Sequence, residues 1–137
     1  MKQTLTLDVN TFKNYPSLLH DAVCLDWCFE YEHKELIMHL NCEDSIVKLS
    51  QISFQNVLGH EMVSCDFWGP SPHIFGWSML MPDQQRLYPR YLEEINKNDY
   101  PLARLQPDER YIEVEVLFTS GDRLNVLCQN ISVEITR

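Results

Sequence analysis

The chain has little glycine, few positive charges and no long hydrophobic run. Glycine accounts for 4 of the 137 residues, and nowhere do about 18 consecutive apolar residues occur, the length that a membrane-spanning helix requires. The segment from Met1 to Asp8 alternates polar and apolar residues, so it lacks the apolar core of a signal peptide. We therefore expect neither a membrane interaction nor export.

Cysteines are few and irregularly spaced. An odd number of them, without dense spacing, does not fit a secreted disulfide scaffold; the five are Cys24, Cys28, Cys42, Cys65 and Cys128. Cys24 and Cys28 lie four residues apart on one predicted strand, and that separation of about 13 Å prevents them from pairing. We predict five reduced thiols and a cytoplasmic protein.

Positive charge is scarce. Eleven Lys and Arg residues face twenty Asp and Glu residues, for a formal net charge of −9, which repels the phosphates of nucleic acids and anionic lipid surfaces. Positions 21–44 alone hold seven acidic residues and one lysine. We therefore predict a basic protein as the partner, with no nucleic acid and no membrane.

Length and composition fit one folded unit. Hydrophobic residues make up 45% and charged residues 23% of the chain, both close to the averages of globular proteins. No repeat, low-complexity tract or linker divides the sequence. Residues 1–137 are therefore predicted to form a single β-rich domain.

A first region of alternating sequence predicts a β-hairpin. The alternation places four large apolar residues on one face of a strand, namely Leu25, Trp27, Phe29 and Tyr31. We expect Trp27 at the centre of the core, and Asp26 and Glu30 on the opposite, solvated face. A polar connection at 32–34 leads to the partner strand at 36–40.

A second region, 112–135, predicts another hairpin and one further short strand. Its turn is Ser120-Gly121-Asp122, where glycine allows a positive φ. Residues 88–97, with Pro89 in the first turn, predict a short helix, and a helical turn is expected near 10–14. The predicted fold class is mainly β, an antiparallel β-sandwich or curved sheet with one or two short helices.

The segment from Gly59 to Trp77 has the most unusual composition. It contains two of the three tryptophans and three of the four glycines, and its prolines at 70 and 72 favour a stiff, extended loop. We predict a binding surface here, unless the aromatic rings fold into the core. The candidate binding residues are His60, Cys65, Asp66, Phe67, Trp68, His73 and Trp77, together with Asp26 and Glu30 of the first strand.

Metal binding and catalysis are alternatives for the same loop. His60, Cys65, Asp66 and His73 are zinc ligands in type, but their spacing matches no recognised zinc motif. Cys65 beside a histidine is the local candidate for a nucleophile, although a buried structural cysteine is more common. We predict no catalytic residue, no metal and no cofactor. A small-ligand or metal binder, or an enzyme, with its pocket at residues 60–77 is the alternative.

Three features resemble a known class of proteins: Leu19-His20-Asp21-Ala22 before a Trp-containing strand, the tight hairpin that follows, and the run from Ile52 to Gly59. Together they look like small bacterial β-rich proteins of uncharacterised families, some of them similar to immunity proteins of polymorphic toxin systems. The resemblance covers residues 18–77 and, by hairpin pattern, 111–135. It implies a non-catalytic protein-binding domain that neutralises a toxin by binding it. A homodimer formed by pairing exposed strands is a further alternative.

Overall fold

The computed structural model describes residues 2–42, 48–63, 73–98 and 110–136. A short 3₁₀ helix, Phe12–Asn14, confirms the predicted helical turn near 10–14. No helix in these ranges is long and apolar enough to cross a membrane. The other elements, in chain order, are β1 (Lys2–Leu7), β2 (Val23–Glu30), β3 (Glu35–Asn41), β4 (Lys48–Gln55), β5 (Gly59–Val63), β6 (Ile74–Met79), α1 (Leu87–Asn98), β7 (Ile112–Phe118), β8 (Arg123–Cys128) and β9 (Asn130–Thr136).

The strands form two antiparallel sheets. Sheet A has the order β1-β9-β4-β3-β2, and sheet B has the order β5-β8-β7-β6. The chain leaves sheet A after β4, builds sheet B, and returns with β9, which lies between β1 and β4. The predicted antiparallel, mainly β fold with one or two short helices is confirmed.

One hydrophobic cluster fills the space between the sheets. Sheet A contributes alternate residues such as Met38 of β3 and Val133 of β9, and sheet B contributes Val114 and Val126, all fully buried. The alternation that the sequence shows in 112–135 therefore corresponds to inward and outward faces, because side chains on a strand alternate between faces.

The turn between β7 and β8 has the predicted form. Gly121 has a φ of 94°, a value that costs glycine nothing because it has no Cβ. The Gly121 N–H donates to the Phe118 carbonyl and the Phe118 N–H donates to the Asp122 carbonyl, each at 2.9 Å. This hairpin and the helix predicted at 88–97 are both confirmed, the helix to within a residue at each end.

The prediction for β2 is wrong about which of its residues are buried. Trp27 is 39% exposed instead of lying at the centre of the core, while Leu25 is 62% and Tyr31 76% exposed. Cys24, which was expected on the outer face, is buried. A β-bulge between Cys24 and Asp26 interrupts the alternation, because an extra residue changes which side chains share a face. Cys24 therefore faces the core, whereas Trp27 and Phe29 keep the inward face that the pattern predicts.

The position of β2 in the sheet completes the explanation. β2 is the last strand of sheet A, so its inward side chains meet the margin of the core. Trp27 and Phe29 lie opposite Met38 and Leu36 of β3 and share their inward face. They reach sheet B from the side, which is why Phe29 is half-buried and Trp27 keeps a large exposed fraction.

Candidate functional site

The candidate site is the open side of β2 and the turn that follows it. We call the β2 edge the exposed residues of this segment, Leu25, Asp26, Trp27, Cys28, Glu30 and Tyr31. Within the described ranges, β3 is the strand paired along β2, and on the other side a strand contact occurs at the isolated bridge between Val23 and His73. Beyond Val23, no strand of the described ranges pairs with the outward backbone groups of β2.

The segment before β2 closes one corner of the sandwich. The Asp21 N–H donates to the Ile74 carbonyl at 3.0 Å, and the Ile74 N–H donates to the Ala22 carbonyl at 2.8 Å. Among the described residues, this pairing extends to the bridge between Val23 and His73, immediately before the bulge. Bulges bend strands, so β2 changes direction directly after this contact.

The apolar part of the β2 edge is held by aromatic contacts. The Trp27 ring centroid lies 6.3 Å from that of Phe118, and the Phe29 ring centroid lies 4.6 Å from that of His60. These contacts fix one side of each ring on sheet B and leave the rest of Trp27 in solvent. Leu25 and Tyr31 are more exposed still, and large apolar side chains grouped on a surface are typical of interaction sites.

The acidic part lies on the outer face of sheet A. Asp26 Oδ1 is 2.5 Å from His39 Nδ1, and Glu30 Oε1 is 2.5 Å from His33 Nδ1. The Asp26 and Glu30 side chains are 66% and 46% exposed, so both carboxylates remain in contact with solvent. The two histidine partners were not anticipated from the sequence.

The predicted loop 59–77 is not one continuous loop. Its first residues form β5 and its last residues form β6, so the expectation of a stiff loop is wrong at both ends. His60 is exposed on β5, and His73 is exposed at the bridge to Val23. Four of the predicted site residues, Cys65, Asp66, Phe67 and Trp68, lie outside the described residues.

Trp77 is a core residue. It is 5% exposed, its ring centroid lies 4.6 Å from that of Phe12, and its Nε1–H donates to the Tyr15 carbonyl at 3.0 Å. The burial of Trp77 agrees with the alternative interpretation of the sequence, in which aromatic rings of the segment 59–77 fold into the core. Trp77 therefore anchors the residues before β2 to sheet B.

Neither a cluster of metal ligands nor a reactive buried thiol occurs among the described residues. No group of three or more His, Cys, Asp or Glu side chains in those ranges is placed to hold a metal ion. Cys24, Cys28, Cys42 and Cys128 are free thiols. Burial, with a smaller contribution from Asp26, raises the pKa of Cys24 to about 11, and burial raises the pKa of Cys128 far above its usual range. Both thiols stay protonated at neutral pH and cannot act as nucleophiles.

Comparisons with known proteins return no match. No protein-family model fits the chain, and no curated protein or solved structure is significantly similar to it. The function is therefore argued from the surface that the fold presents.

Proposed function

We propose that this protein is a non-catalytic binding domain that captures an extended, basic segment of a partner protein along the β2 edge. One observation carries the proposal: an edge strand and the turn after it expose Leu25, Trp27 and Tyr31, with Asp26 and Glu30 between them. Exposed edge strands with large apolar residues promote aggregation unless they are covered, so a specific cover for this edge is expected.

The chemistry of the partner segment follows from strand geometry. A strand added beside β2 gains main-chain hydrogen bonds, and its side chains alternate between the two faces of sheet A. Side chains on the inner face would pack on Trp27, whereas those on the outer face would lie next to Asp26 and Glu30. The best match is therefore a segment that alternates apolar and basic residues.

Charge also distinguishes this partner from a second copy of the chain. Pairing two β2 strands about a two-fold axis would bring Asp26 and Glu30 of both copies onto one shared outer face. Like charges on neighbouring strands are destabilising, whereas a basic segment is attracted and its encounter rate rises. The homodimer is the weaker proposal for this edge.

Toxin neutralisation is the specific form of binding that we propose. It rests on the resemblance of residues 18–77 to immunity-type proteins, and on a net charge of −9 that suits a basic target. An immunity protein of this kind would act in the cytoplasm of a bacterium and would need no cofactor, because occupying the partner's surface is sufficient.

The proposal is tested with a synthetic peptide that alternates valine and lysine, and with a peptide of the same composition in which the lysines form one block. We expect the alternating peptide to bind with the higher affinity. Replacing Asp26 with Asn and Glu30 with Gln should slow association and flatten its salt dependence, since salt screens exposed charges over about 8 Å at physiological ionic strength.

The matched control replaces two other exposed acids, Asp83 with Asn and Glu93 with Gln. It changes the net charge by the same amount, but outside the β2 edge. Leu25→Ser should raise the dissociation rate by removing apolar contact. Equal binding of both peptides, or equal slowing by the control pair, would contradict the proposal.

A further inference from the structure

A cavity of about 310 Å³ lies on the other side of the closed corner, between residues 16–20 and the outer face of sheet B. Its wall includes Ser17, His20, Phe75, Gly76, Ser78 and Glu115. None of these residues belongs to the β2 edge. The volume falls at the lower end of the range for small-molecule sites, about 300–1,000 Å³, which suits a small molecule or a single long side chain.

Glu115 contributes a carboxylate to this cavity. It is half-buried on β7, between Val114 and Val116, which point into the core. Among the described residues, no ion pair or hydrogen bond engages its carboxylate. Its neighbours across the sheet, Ser78 and Asn125, carry no charge. A partly desolvated carboxylate without a partner is costly, so a cation in the cavity would be stabilised.

The other acids on this face of sheet B are already occupied. Glu61 forms ion pairs with Arg86 at 2.8 Å and Arg90 at 3.2 Å, and Glu113 accepts backbone N–H groups at the start of α1. Arg86 and Arg90 are therefore paired with Glu61. Arg123 of β8 lies on the same face opposite Leu117, and no ion pair among the described residues joins it to Glu115.

An aromatic wall stands beside this carboxylate. Phe75 is 58% exposed, and its ring centroid lies 6.1 Å from that of His20 in an edge-on arrangement. His20 Nδ1 is 2.7 Å from the Phe75 carbonyl oxygen, and its Nε2 is 3.5 Å from the Asp21 carboxylate. These contacts hold the wall in place, and Asp21 offsets any positive charge on His20.

We propose that this cavity binds an organic cation, with a guanidinium or alkylammonium group paired with Glu115 and packed against the ring of Phe75. A carboxylate and an exposed aromatic ring are the two groups that recognise such cations, through charge and through cation–π attraction. The cation can belong to a free small molecule or to an Arg or Lys side chain of a protein. The site is independent of the strand-capture function proposed above.

Gly76 allows the cavity to be blocked without changing its charge. A Cβ added there would meet no atom within 4 Å, and the residue borders the cavity. Gly76→Val should therefore fill the space with two methyl groups on a strand position that β-branched residues favour.

The test is an NMR titration of the protein with N-acetyl-arginine amide, against N-acetyl-citrulline amide as a neutral probe of nearly the same shape. We expect the arginine probe to shift the backbone signals of residues 76–78 and 115–117, with the citrulline probe at least about tenfold weaker, as the loss of a partly buried ion pair implies. Glu115→Gln should lower the affinity for the arginine probe by a similar factor, and Gly76→Val should abolish binding of that probe.

Glu134→Gln, a half-buried acid on the outer face of sheet A, is the matched control and should leave binding unchanged. A pentapeptide with a central arginine distinguishes the sources: tighter binding of the peptide indicates a protein side chain, and equal binding indicates a free small molecule. Equal affinity for the citrulline probe, or shifts that persist in Gly76→Val, would overturn the proposal, as would the absence of shifts with both the arginine amide and the peptide.

Discussion

The fully buried carboxylate of Glu113 accepts the backbone N–H of Leu87 at 3.0 Å. It also accepts the N–H groups of Arg86 at 2.8 Å and Tyr88 at 2.9 Å. No acidic residue stands in the first turn of α1, and no Ser, Thr, Asp or Asn directly precedes it. A residue on β7 thus supplies the cap, satisfying the N–H groups that every helix start leaves open and placing negative charge at the positive end of the dipole.

Removing this cap should weaken the whole fold. Glu113→Ala is expected to lower the free energy of unfolding by about 2–3 kcal/mol, the range for buried hydrogen bonds to a charged group. Glu113→Gln keeps one acceptor oxygen and should cost less. Urea unfolding followed by circular dichroism measures both. Glu93→Gln, at an exposed position of α1, is the control and should stay within about 0.5 kcal/mol of the parent; equal losses in Glu113→Ala and the control would contradict the capping role.

Trp27 should matter less for stability than a core aromatic residue. Trp27→Ala is expected to cost about 1–2 kcal/mol, because the ring is partly in solvent and buries only part of its apolar surface. Phe54→Ala, at a fully buried position of β4, should cost about 3–5 kcal/mol. Both values come from the same chemical denaturation series. If Trp27→Ala proved as destabilising as Phe54→Ala, the edge position of β2 would be disproved.

Alkaline pH should destabilise the protein through Cys24. The pKa of this thiol rises from an ordinary 9.0 to about 11 in the folded state, so above pH 9 the unfolded chain releases a proton that the folded chain retains. The stabilisation is complete below about pH 9 and is lost as the pH rises towards 11. Unfolding free energies across this interval, in the parent and in Cys24→Ala, test the assignment. The variant should show a shallower decline, and identical slopes would exclude Cys24 as the cause.

Replacing Asn125 with an apolar residue is expected to stabilise the folded protein. Asn125 is fully buried on β8, and within the described part of the chain neither its amide nitrogen nor its carbonyl oxygen has a hydrogen-bond partner. Burying such groups unpaired costs about 1–3 kcal/mol, so Asn125→Leu, of similar size, should raise the free energy of unfolding by about 1 kcal/mol. Thermal unfolding detects the change. A lower stability than that of the parent would mean that the amide has a role in the fold.

Local patterns sufficed for some elements and failed for others. The β7–β8 hairpin was predictable because alternation and a glycine turn are both short-range signals. The burial pattern of β2 was not, because the bulge between Cys24 and Asp26 carries no sequence signature and distant parts of the chain put β2 at the end of sheet A. Glu113 looked like an ordinary solvated residue of an alternating strand, and only the packing of α1 from a distant part of the chain makes it buried.

Some features of the candidate site were likewise predictable from the sequence, and others were not. Strand periodicity was enough to place Asp26 and Glu30 on the outer face of β2. Pairing of Asp26 with His39 depends on the register between β2 and β3, which the bulge sets. The cavity beside Glu115 requires residues 16–20 to fold against β6, a contact that no local pattern encodes.

The insertion of β9 between β1 and β4 has a consequence for how the chain reaches its native state. All of sheet B and α1 lie in the sequence between β4 and the strand that β4 must pair with. Sheet A therefore depends on contacts of high sequence separation, and domains dominated by such pairings fold over about milliseconds to seconds. During that interval β1 and β4 lack their shared neighbour, whereas β7 and β8 can pair as a local hairpin.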